Sequence, residues 1–220
     1  MLLSIAYFPP ISWFAAAVSG FVLSKGRAAS FDVCLEACEH YQKQSYRNRC
    51  RYYSSMGADT LTVPIIKGGC EPPIREALVD YSVPWLLHSE RAIVSAYRSS
   101  AFFEYYKDEL FGLLERRPDT LWELDLSIIL FFMEKIGLPA RINFTEEYLP
   151  MDSYPAGCDL RGVIHPKHED YILTRLGLEK PYFQVFALKH GFIPNLSIMD
   201  LLFNEGPNSI SYLMGEKGVV

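Results

Sequence analysis

The chain has 220 residues, of which 50% are hydrophobic and 21% are charged. This composition supplies ample apolar surface for a core and excludes a disordered, collagen-like or disulfide-stapled chain. The formal net charge of −5 argues against nucleic-acid binding through the whole surface, because such binding relies on a basic face that contacts many phosphates. The length fits a single domain over residues 1–220, with lobes 1–70 and 71–220 as the alternative division.

The N-terminal segment contains an apolar run at residues 11–23 that resembles the hydrophobic part of a signal peptide. No positive charge precedes Lys25, the pair Pro9-Pro10 interrupts the start of the run, and the run is shorter than the roughly 20 residues of a spanning helix. We therefore predict a strand over residues 2–7, a buried helix opened by the proline pair, and no membrane insertion.

Three further strands are predicted in the first third of the chain. Residues 31–41 alternate apolar and polar side chains, which is the period of a strand with one buried face. Residues 46–54 and 61–66 form two more extended runs, and residues 56–59 are the predicted hairpin turn between them. The Gly- and Pro-rich loop at 67–73 is the predicted lobe boundary.

Helices dominate the rest of the chain. The predicted helices cover residues 84–98, 102–116, 121–136 and 166–176, and a last helix stops at Gly206-Pro207. The later elements are separated by a long loop over residues 143–162 and a possible strand over residues 182–186. The whole pattern predicts an α/β fold, in which a small N-terminal mixed sheet with a hairpin is packed by a mostly helical C-terminal half.

The expected helix caps come from short polar side chains. Ser99-Ser100 precede the second helix, and Asn195 precedes the last one. Thr120 and Glu123 form a capping box on the third helix, because a hydroxyl and a carboxylate at this spacing satisfy each other's backbone donors.

The chain has five cysteines, Cys34, Cys38, Cys50, Cys70 and Cys158. Because their number is odd and their spacing does not match a disulfide framework, we predict reduced thiols in the cytoplasm. In a strand, the first two lie about 13 Å apart. A single zinc ion with bonds of about 2.3 Å does not bridge that distance. In a helix the same two side chains meet, but the strand pattern leads us to predict no metal site.

The segment from Glu39 to Tyr52 is the most basic part of the chain, with a local charge of +3 from Lys43, Arg47, Arg49 and Arg51 against one acid. If residues 46–52 are extended, the three arginines share one face and Tyr46, Asn48 and Cys50 share the other. Guanidinium groups favour phosphate or carboxylate, so we expect a small anionic ligand such as a nucleotide or nucleotide sugar. The alternative is a solvated edge strand that uses charge against aggregation.

Two histidines, His88 and His165, are candidates for a catalytic role. His88 shares a helical stripe with Arg91, Ser95 and Arg98, where a neutral imidazole beside cations suits a general base; an ordinary solvent-facing stripe is the alternative. His165 precedes the helix predicted at Pro166, where free backbone donors form an anion pocket, with a capping or core role as the alternative. The chain lacks the P-loop, the dinucleotide fingerprint, the nucleophile elbow and the zinc-protease motif.

Several stretches of the chain are similar to the WbqC-like protein family: residues 7–10, 39–49, 61–64, 88–97, 99–106 and 191–207. The sequence Tyr-Arg-Asn-Arg at 46–49 and the sequence Pro-Asn-Leu-Ser at 194–197 are the most specific of these motifs. The resemblance spans nearly the whole chain and implies a soluble bacterial protein of the cytoplasm.

The resemblance implies a role in surface-polysaccharide (O-antigen) biosynthesis, in which a transferase moves glycine or another acyl group from an activated donor to a sugar. Such an enzyme needs an anion clamp and a base, and no cofactor is expected. The candidate catalytic residues are His40, His88 and His165, and the candidate ligand-binding residues are Lys43, Tyr46, Arg47, Asn48, Arg49, Arg91, Tyr97 and Asn195. The alternatives are a non-catalytic nucleotide-sugar binding module and a structural partner in a glycan-synthesis complex.

We expect the site to form where residues 40–49, the helix at 88–98 and the loop near 165 converge. The sequence leaves the oligomeric state open.

Overall fold

The computed structural model describes residues 1–23, 32–68, 71–138, 141–150, 157–168 and 170–215, with only the backbone described at residues 20–23 and 32. The fold is α/β, with small sheets in the N-terminal half and most of the helices in the C-terminal half, as the sequence predicts. Its strands are β1 Leu2–Ser4, β2 Asp32–Glu36, β3 Arg49–Ser54, β4 Gly57–Thr62 and β5 Arg141–Phe144.

Three of the strands form a parallel sheet, in the order β1-β2-β5. Leu3 pairs with Leu35, and Val33 pairs with Ile142, so β2 is the middle strand. The strands predicted at 2–7 and 31–41 are therefore present in shorter form. Strand β5 was not predicted, because its side chains are mostly exposed and show no alternation of buried and exposed positions.

The hairpin of β3 and β4 is antiparallel, and its register closes at the pair Ser54 and Gly57. The turn is Ser55-Met56, which lies slightly before the predicted turn at 56–59. Gly57 has a φ of +106°, a value that favours glycine, and it begins the second strand rather than lying within the turn. The first strand begins later than predicted, because residues 43–48 form turns.

The helices are α1 Ile11–Leu23, α2 Trp85–Tyr97, α3 Phe103–Leu114, α4 Leu121–Lys135, α5 Ile172–Leu176, α6 Ala187–His190, α7 Ile198–Glu205 and α8 Ser209–Met214. The first four confirm the predicted positions. The capping box of α4 is also confirmed: the Glu123 backbone N–H donates to Thr120 Oγ1 at 3.2 Å, and the Thr120 N–H donates to Glu123 Oε2 at 3.4 Å.

Two of the predicted caps are wrong. Helix α3 begins after Phe102 with no side-chain cap, because the Ser100 N–H turns back to the Tyr97 carbonyl and continues the end of α2. Helix α7 is capped by Ser197, whose Oγ accepts a hydrogen bond from the Met199 N–H. Asn195 instead has a φ of +53°, and its Oδ1 accepts from the Ser12 N–H in the first turn of α1.

The C-terminal part differs from the prediction in two further places. Only the last residues of the helix predicted at 166–176 are helical, as α5. This helix ends as expected at Gly177, which has a left-handed backbone conformation. Residues 182–186 are not a strand, because Tyr182 and Gln184 bond through their side chains to Asp200 of α7 instead of joining a sheet.

One apolar core draws on both halves of the chain. Phe8 and Phe14 each place their rings edge-on against Phe132 of α4, at centroid distances of 5.9 and 6.5 Å. Helix α1 is buried along its described side chains, which fits the predicted buried helix. None of the helices in the described ranges has the length and apolar character needed to cross a membrane.

Candidate functional site

The carboxyl ends of the parallel strands carry buried, paired charges. In open α/β sheets this edge is where ligands usually bind. Glu36 ends β2, and its side chain accepts from Arg161 Nη1 at 2.7 Å and from Thr145 Oγ1 at 2.6 Å. Arg161 also bonds to Asp159. These groups satisfy one another's hydrogen-bonding capacity, so this edge of the sheet is a structural network of ion pairs.

Arg47 belongs to the same edge and is not a free anion clamp. Its side chain is only 5% exposed, and its Nε donates to Glu39 Oε1 at 2.9 Å. Its Nη2 also donates to Ser4 Oγ at 2.9 Å. The predicted row of three arginines on one strand face is therefore wrong, because Arg47 lies in a turn before β3 while Arg51 is exposed on β3 itself.

Tyr46 lies beside Arg51 rather than in an open site. Burial raises the pKa of Tyr46, and the Arg51 guanidinium next to it partly offsets that rise. Its backbone carbonyl accepts from the Tyr7 N–H at 2.8 Å.

A groove of about 670 Å³, with a largely apolar lining, brings together three of the predicted ligand-binding residues, Lys43, Asn48 and Arg49. Its walls come from the turn before β3, the chain after β4 and residues 71–83, with Tyr41 and Lys67 also on its lining. Lys43 is 70% exposed, and its Nζ lies 3.9 Å from Glu71 Oε1. The groove therefore offers lysine and arginine side chains to a ligand, with two acids, Glu71 and Asp80, on the same lining.

Two polar atoms of the groove residues have no hydrogen-bond partner among the described residues. Asn48 Nδ2 donates to the Val63 carbonyl at 2.9 Å, but Asn48 Oδ1 accepts nothing. The Nε of Arg49 is likewise buried and unpaired. Because buried polar atoms are nearly always satisfied, such atoms mark places where a ligand or an ordered water is expected.

His40, one of the three histidines predicted to be catalytic, contacts a residue of this groove. Its Nδ1 lies 2.9 Å from the carbonyl oxygen of Glu71, one of the groove residues. Since a carbonyl only accepts, Nδ1 must carry the proton, and the neutral ring keeps its lone pair on Nε2. His40 is exposed, so Nε2 is available to take a proton from a substrate.

Helix α2 divides its predicted site residues between two faces. His88 and Arg91 are exposed, and Arg91 lines a separate depression of about 420 Å³ with Ser95 and Arg98. Tyr97 points into the core with 1% of its surface exposed, and its hydroxyl accepts from the Tyr53 N–H at 3.3 Å.

His165 lies in a turn and not at the start of a helix, so the anion pocket predicted at Pro166 is absent. Its Nδ1 accepts from the Lys167 N–H at 3.2 Å, which leaves the proton of the neutral ring on Nε2. The pKa of His165 is lowered by burial first, and then by His168 and Arg47. Asn195 is also committed elsewhere: besides the Ser12 N–H, its Nδ2 donates to Asp170 at 3.0 Å.

The structure adds three buried polar side chains that sequence reasoning missed: Tyr7, Trp85 and Asp125. Each carries at least one polar atom without a partner among the described residues. One signal for Asp125 exists in the sequence, since it interrupts the apolar stripe of α4 four residues after Leu121 and three before Ile128. An acid at such a position is buried with the stripe, and a buried acid needs an explanation.

The remaining features of the fold offer fewer polar groups to a ligand. An apolar depression of about 320 Å³ lies between α1, α5 and α8, and its lining has a single charged side chain, Arg175. Among the described residues, no group of three or more His, Cys, Asp or Glu side chains is arranged to hold a metal ion. Cys38, Cys50 and Cys158 are free thiols. Cys70 lies outside the described residues.

The fold and the groove define an α/β protein with a parallel three-stranded sheet, a β-hairpin and a candidate ligand-binding groove beside that hairpin. The chain belongs to the WbqC-like protein family, whose family model matches residues 26–159. A relative from Mycobacterium tuberculosis (strain ATCC 25618 / H37Rv), described as "Uncharacterized protein Rv1507c", is 28% identical over 196 residues, covering 79% of this chain and 83% of the relative. No solved structure matches the chain.

Proposed function

We propose that the groove binds a small anionic ligand, such as a nucleotide sugar or an activated acyl donor. The observation that carries this proposal is that Lys43 and Arg49 line the same groove, Lys43 with an exposed side chain and Arg49 with an Nε that has no partner among the described residues. A phosphate or carboxylate supplies an acceptor to Arg49 and competes with Glu71, 3.9 Å away, for the Lys43 ammonium group. The two acids on the groove lining disfavour a long polyanion, which agrees with a small ligand.

The reaction we propose for this site is acyl transfer to a sugar, in surface-polysaccharide (O-antigen) biosynthesis. His40 takes the proton of an acceptor hydroxyl or amine on Nε2, while the acceptor atom forms a bond to the acyl carbon. The bond between the acyl carbon and the activated donor then breaks, and the donor leaves with the electron pair. The tautomer of His40 and its position beside Glu71 support this role.

The proposal places the protein in the cytoplasm, where Cys38, Cys50 and Cys158 remain the free thiols that they are in the fold. His88 and Arg91 enter the proposal as residues of an exposed helix face, which a bulky acceptor or a partner protein contacts. His165 is a weaker candidate for the base, because its Nδ1 lone pair is already engaged by Lys167.

A non-catalytic module that binds a nucleotide sugar or another anionic ligand is the second candidate, and it needs only the groove at Lys43 and Arg49 and no base. A structural partner in a glycan-synthesis complex is the third candidate from the sequence.

A panel of ligands tests the proposal. We expect nucleotides, nucleotide sugars or acyl carriers such as coenzyme A to raise the melting temperature, since a ligand that binds only the folded state stabilises it. His40→Ala should keep this thermal shift and lose product formation, and His190→Ala, at an exposed histidine of α6 outside the groove lining, serves as the matched control. If no anionic compound shifts the melting temperature, the binding proposal fails. If His40→Ala keeps full product formation, the base assignment fails.

A further inference from the structure

The apolar depression between α1, α5 and α8, which we call the helix pocket, is a second candidate binding site. Its volume of about 320 Å³ lies at the lower end of the range for small-molecule sites, about 300–1,000 Å³. Its lining shares no residue with the lining of the groove at Lys43 and Arg49. The two sites are therefore separate, and a ligand of the helix pocket is a question of its own.

The walls of the helix pocket are mostly apolar side chains that the fold buries. Ala16 and Val18 of α1 and Leu213 of α8 all line the pocket, and each is at most 2% exposed. Ser19 is also on the lining, but its hydroxyl already donates to the Ala16 carbonyl at 2.9 Å. Water finds few hydrogen-bond partners on such walls, so an apolar ligand gains free energy by displacing it.

Arg175 is the one charged side chain on this lining among the described residues. It lies in the last turn of α5 and is exposed, so it marks the solvent side of the pocket. Ile172 and Leu176 of the same helix also line the pocket, which places the three side chains on one face of α5. The guanidinium of Arg175 has no ion pair or hydrogen bond with any described residue, so its charge is free for a ligand.

Hydrogen bonds hold the walls of the helix pocket in place without a ligand. The Tyr212 hydroxyl of α8 donates to the Leu178 carbonyl at 2.9 Å, which fixes the chain after α5 against α8. On the opposite side, the Leu2 N–H donates to the Cys158 carbonyl at 2.8 Å, and the Leu160 N–H donates to the Leu2 carbonyl at 2.9 Å. A pocket whose walls are already ordered loses little conformational entropy when it binds.

We propose that the helix pocket binds a medium-chain acyl carboxylate, with its chain between α1 and α8 and its carboxylate on Arg175. An apolar cavity of about 150 Å³ holds benzene, so about twice that volume holds a chain of about ten carbon atoms. A carboxylate suits a single guanidinium because its two oxygens accept two parallel hydrogen bonds and its charge balances that of the arginine. This inference does not depend on the function proposed for the groove.

Calorimetry with straight-chain carboxylates tests the proposal. We expect hexanoate, octanoate and decanoate to bind with affinities that rise about fourfold for each added methylene group, because each one removes more apolar surface from water. Decanol has the same chain without a charge, and decylammonium reverses the charge. Decanol should bind about tenfold more weakly than decanoate, since it gains no charge-assisted hydrogen bond, and decylammonium should bind more weakly still.

Two substitutions separate the two ends of the ligand. Arg175→Gln should weaken decanoate about tenfold and leave decanol unchanged, while Arg116→Gln, at an exposed arginine just after α3 and outside the pocket, should bind both as the wild type does. Ala16→Leu adds bulk to the pocket and should weaken decanoate and decanol alike. Arg175→Gln changes an exposed side chain, so the test stands even where Ala16→Leu fails to fold.

The groove also combines cations with apolar walls, so Arg49→Gln locates the bound carboxylate. We expect Arg49→Gln to bind decanoate as the wild type does. A loss of decanoate affinity in Arg49→Gln that Arg175→Gln does not show places the carboxylate in the groove and overturns the proposal. Absence of decanoate binding, an affinity that does not depend on chain length, or equal binding of decanoate and decylammonium also overturns it.

Discussion

Asp125 and Asp200 are both buried carboxyls, but their surroundings differ. Asp125 has no hydrogen-bond partner among the described residues, whereas Asp200 Oδ2 accepts from Tyr182 and from Gln184 Nε2, the latter at 2.8 Å. Burial is the largest influence on Asp200 and raises its pKa to about 6, while these hydrogen bonds to the carboxylate limit the rise. The same residue type therefore serves as an unsatisfied group at one place and as an anchor for residues 182–193 at the other.

The raised pKa of Asp200 makes folding stability depend on pH. Between about pH 4 and pH 6 the unfolded chain has lost the Asp200 proton while the folded chain keeps it, so stability falls as pH rises through this window. A shift of about two pKa units corresponds to about 3 kcal/mol. We expect the free energy of unfolding of the wild type to fall by this amount relative to Asp200→Asn, measured by urea denaturation across the window.

Asp80 supplies a control of opposite sign. Hydrogen bonds from Ser82 lower the pKa of the Asp80 carboxyl, so its contribution is lost as pH falls rather than as pH rises. Parallel stability curves for the wild type and Asp200→Asn across the window contradict the assignment for Asp200.

At the scale of elements, the caps show how far local sequence determines structure. The capping box of α4 depends on residues three apart, and it forms as predicted. The cap of α1 depends on Asn195, which lies 183 positions from Ser12, and local sequence contains no sign of that pairing. Asn195 also bonds to Asp170, so it joins the start of α1 to the chain before α5 and α7.

Substitution of Asn195 separates its two contributions. Asn195→Gly keeps the left-handed backbone but leaves the buried Ser12 N–H without its acceptor, which costs about 1–3 kcal/mol. Asn195→Ala should lose about 1–2 kcal/mol more, because a Cβ at a φ of +53° is strained. Urea denaturation measures both losses.

The exposed Asn208 is the matched control, because it makes no side-chain cap bond to α8. Asn208→Ala should change stability by less than about 0.5 kcal/mol. Equal stability of Asn195→Gly and the wild type contradicts the role of Asn195 as the cap of α1.

At the scale of the whole molecule, the fold class, the buried first helix and the long central helices follow from hydrophobic period and capping. Arg47 shows where that reasoning ends. Its charge suggested a ligand clamp, but its guanidinium pairs with Glu39 and Ser4 across the carboxyl edge of the sheet. Period and composition describe single elements, and neither specifies which side chains of different elements meet.

The account depends most directly on the groove as an anion site, and Arg49 tests it. Calorimetry of inorganic diphosphate should give an affinity for Arg49→Gln that is about ten- to a hundredfold weaker than for the wild type, because a charge-assisted hydrogen bond is worth about 1.5–3 kcal/mol. Arg98→Gln removes the same charge from the exposed face of α2 and should bind as the wild type does. Equal affinity of Arg49→Gln and the wild type, or no binding by the wild type, contradicts the account.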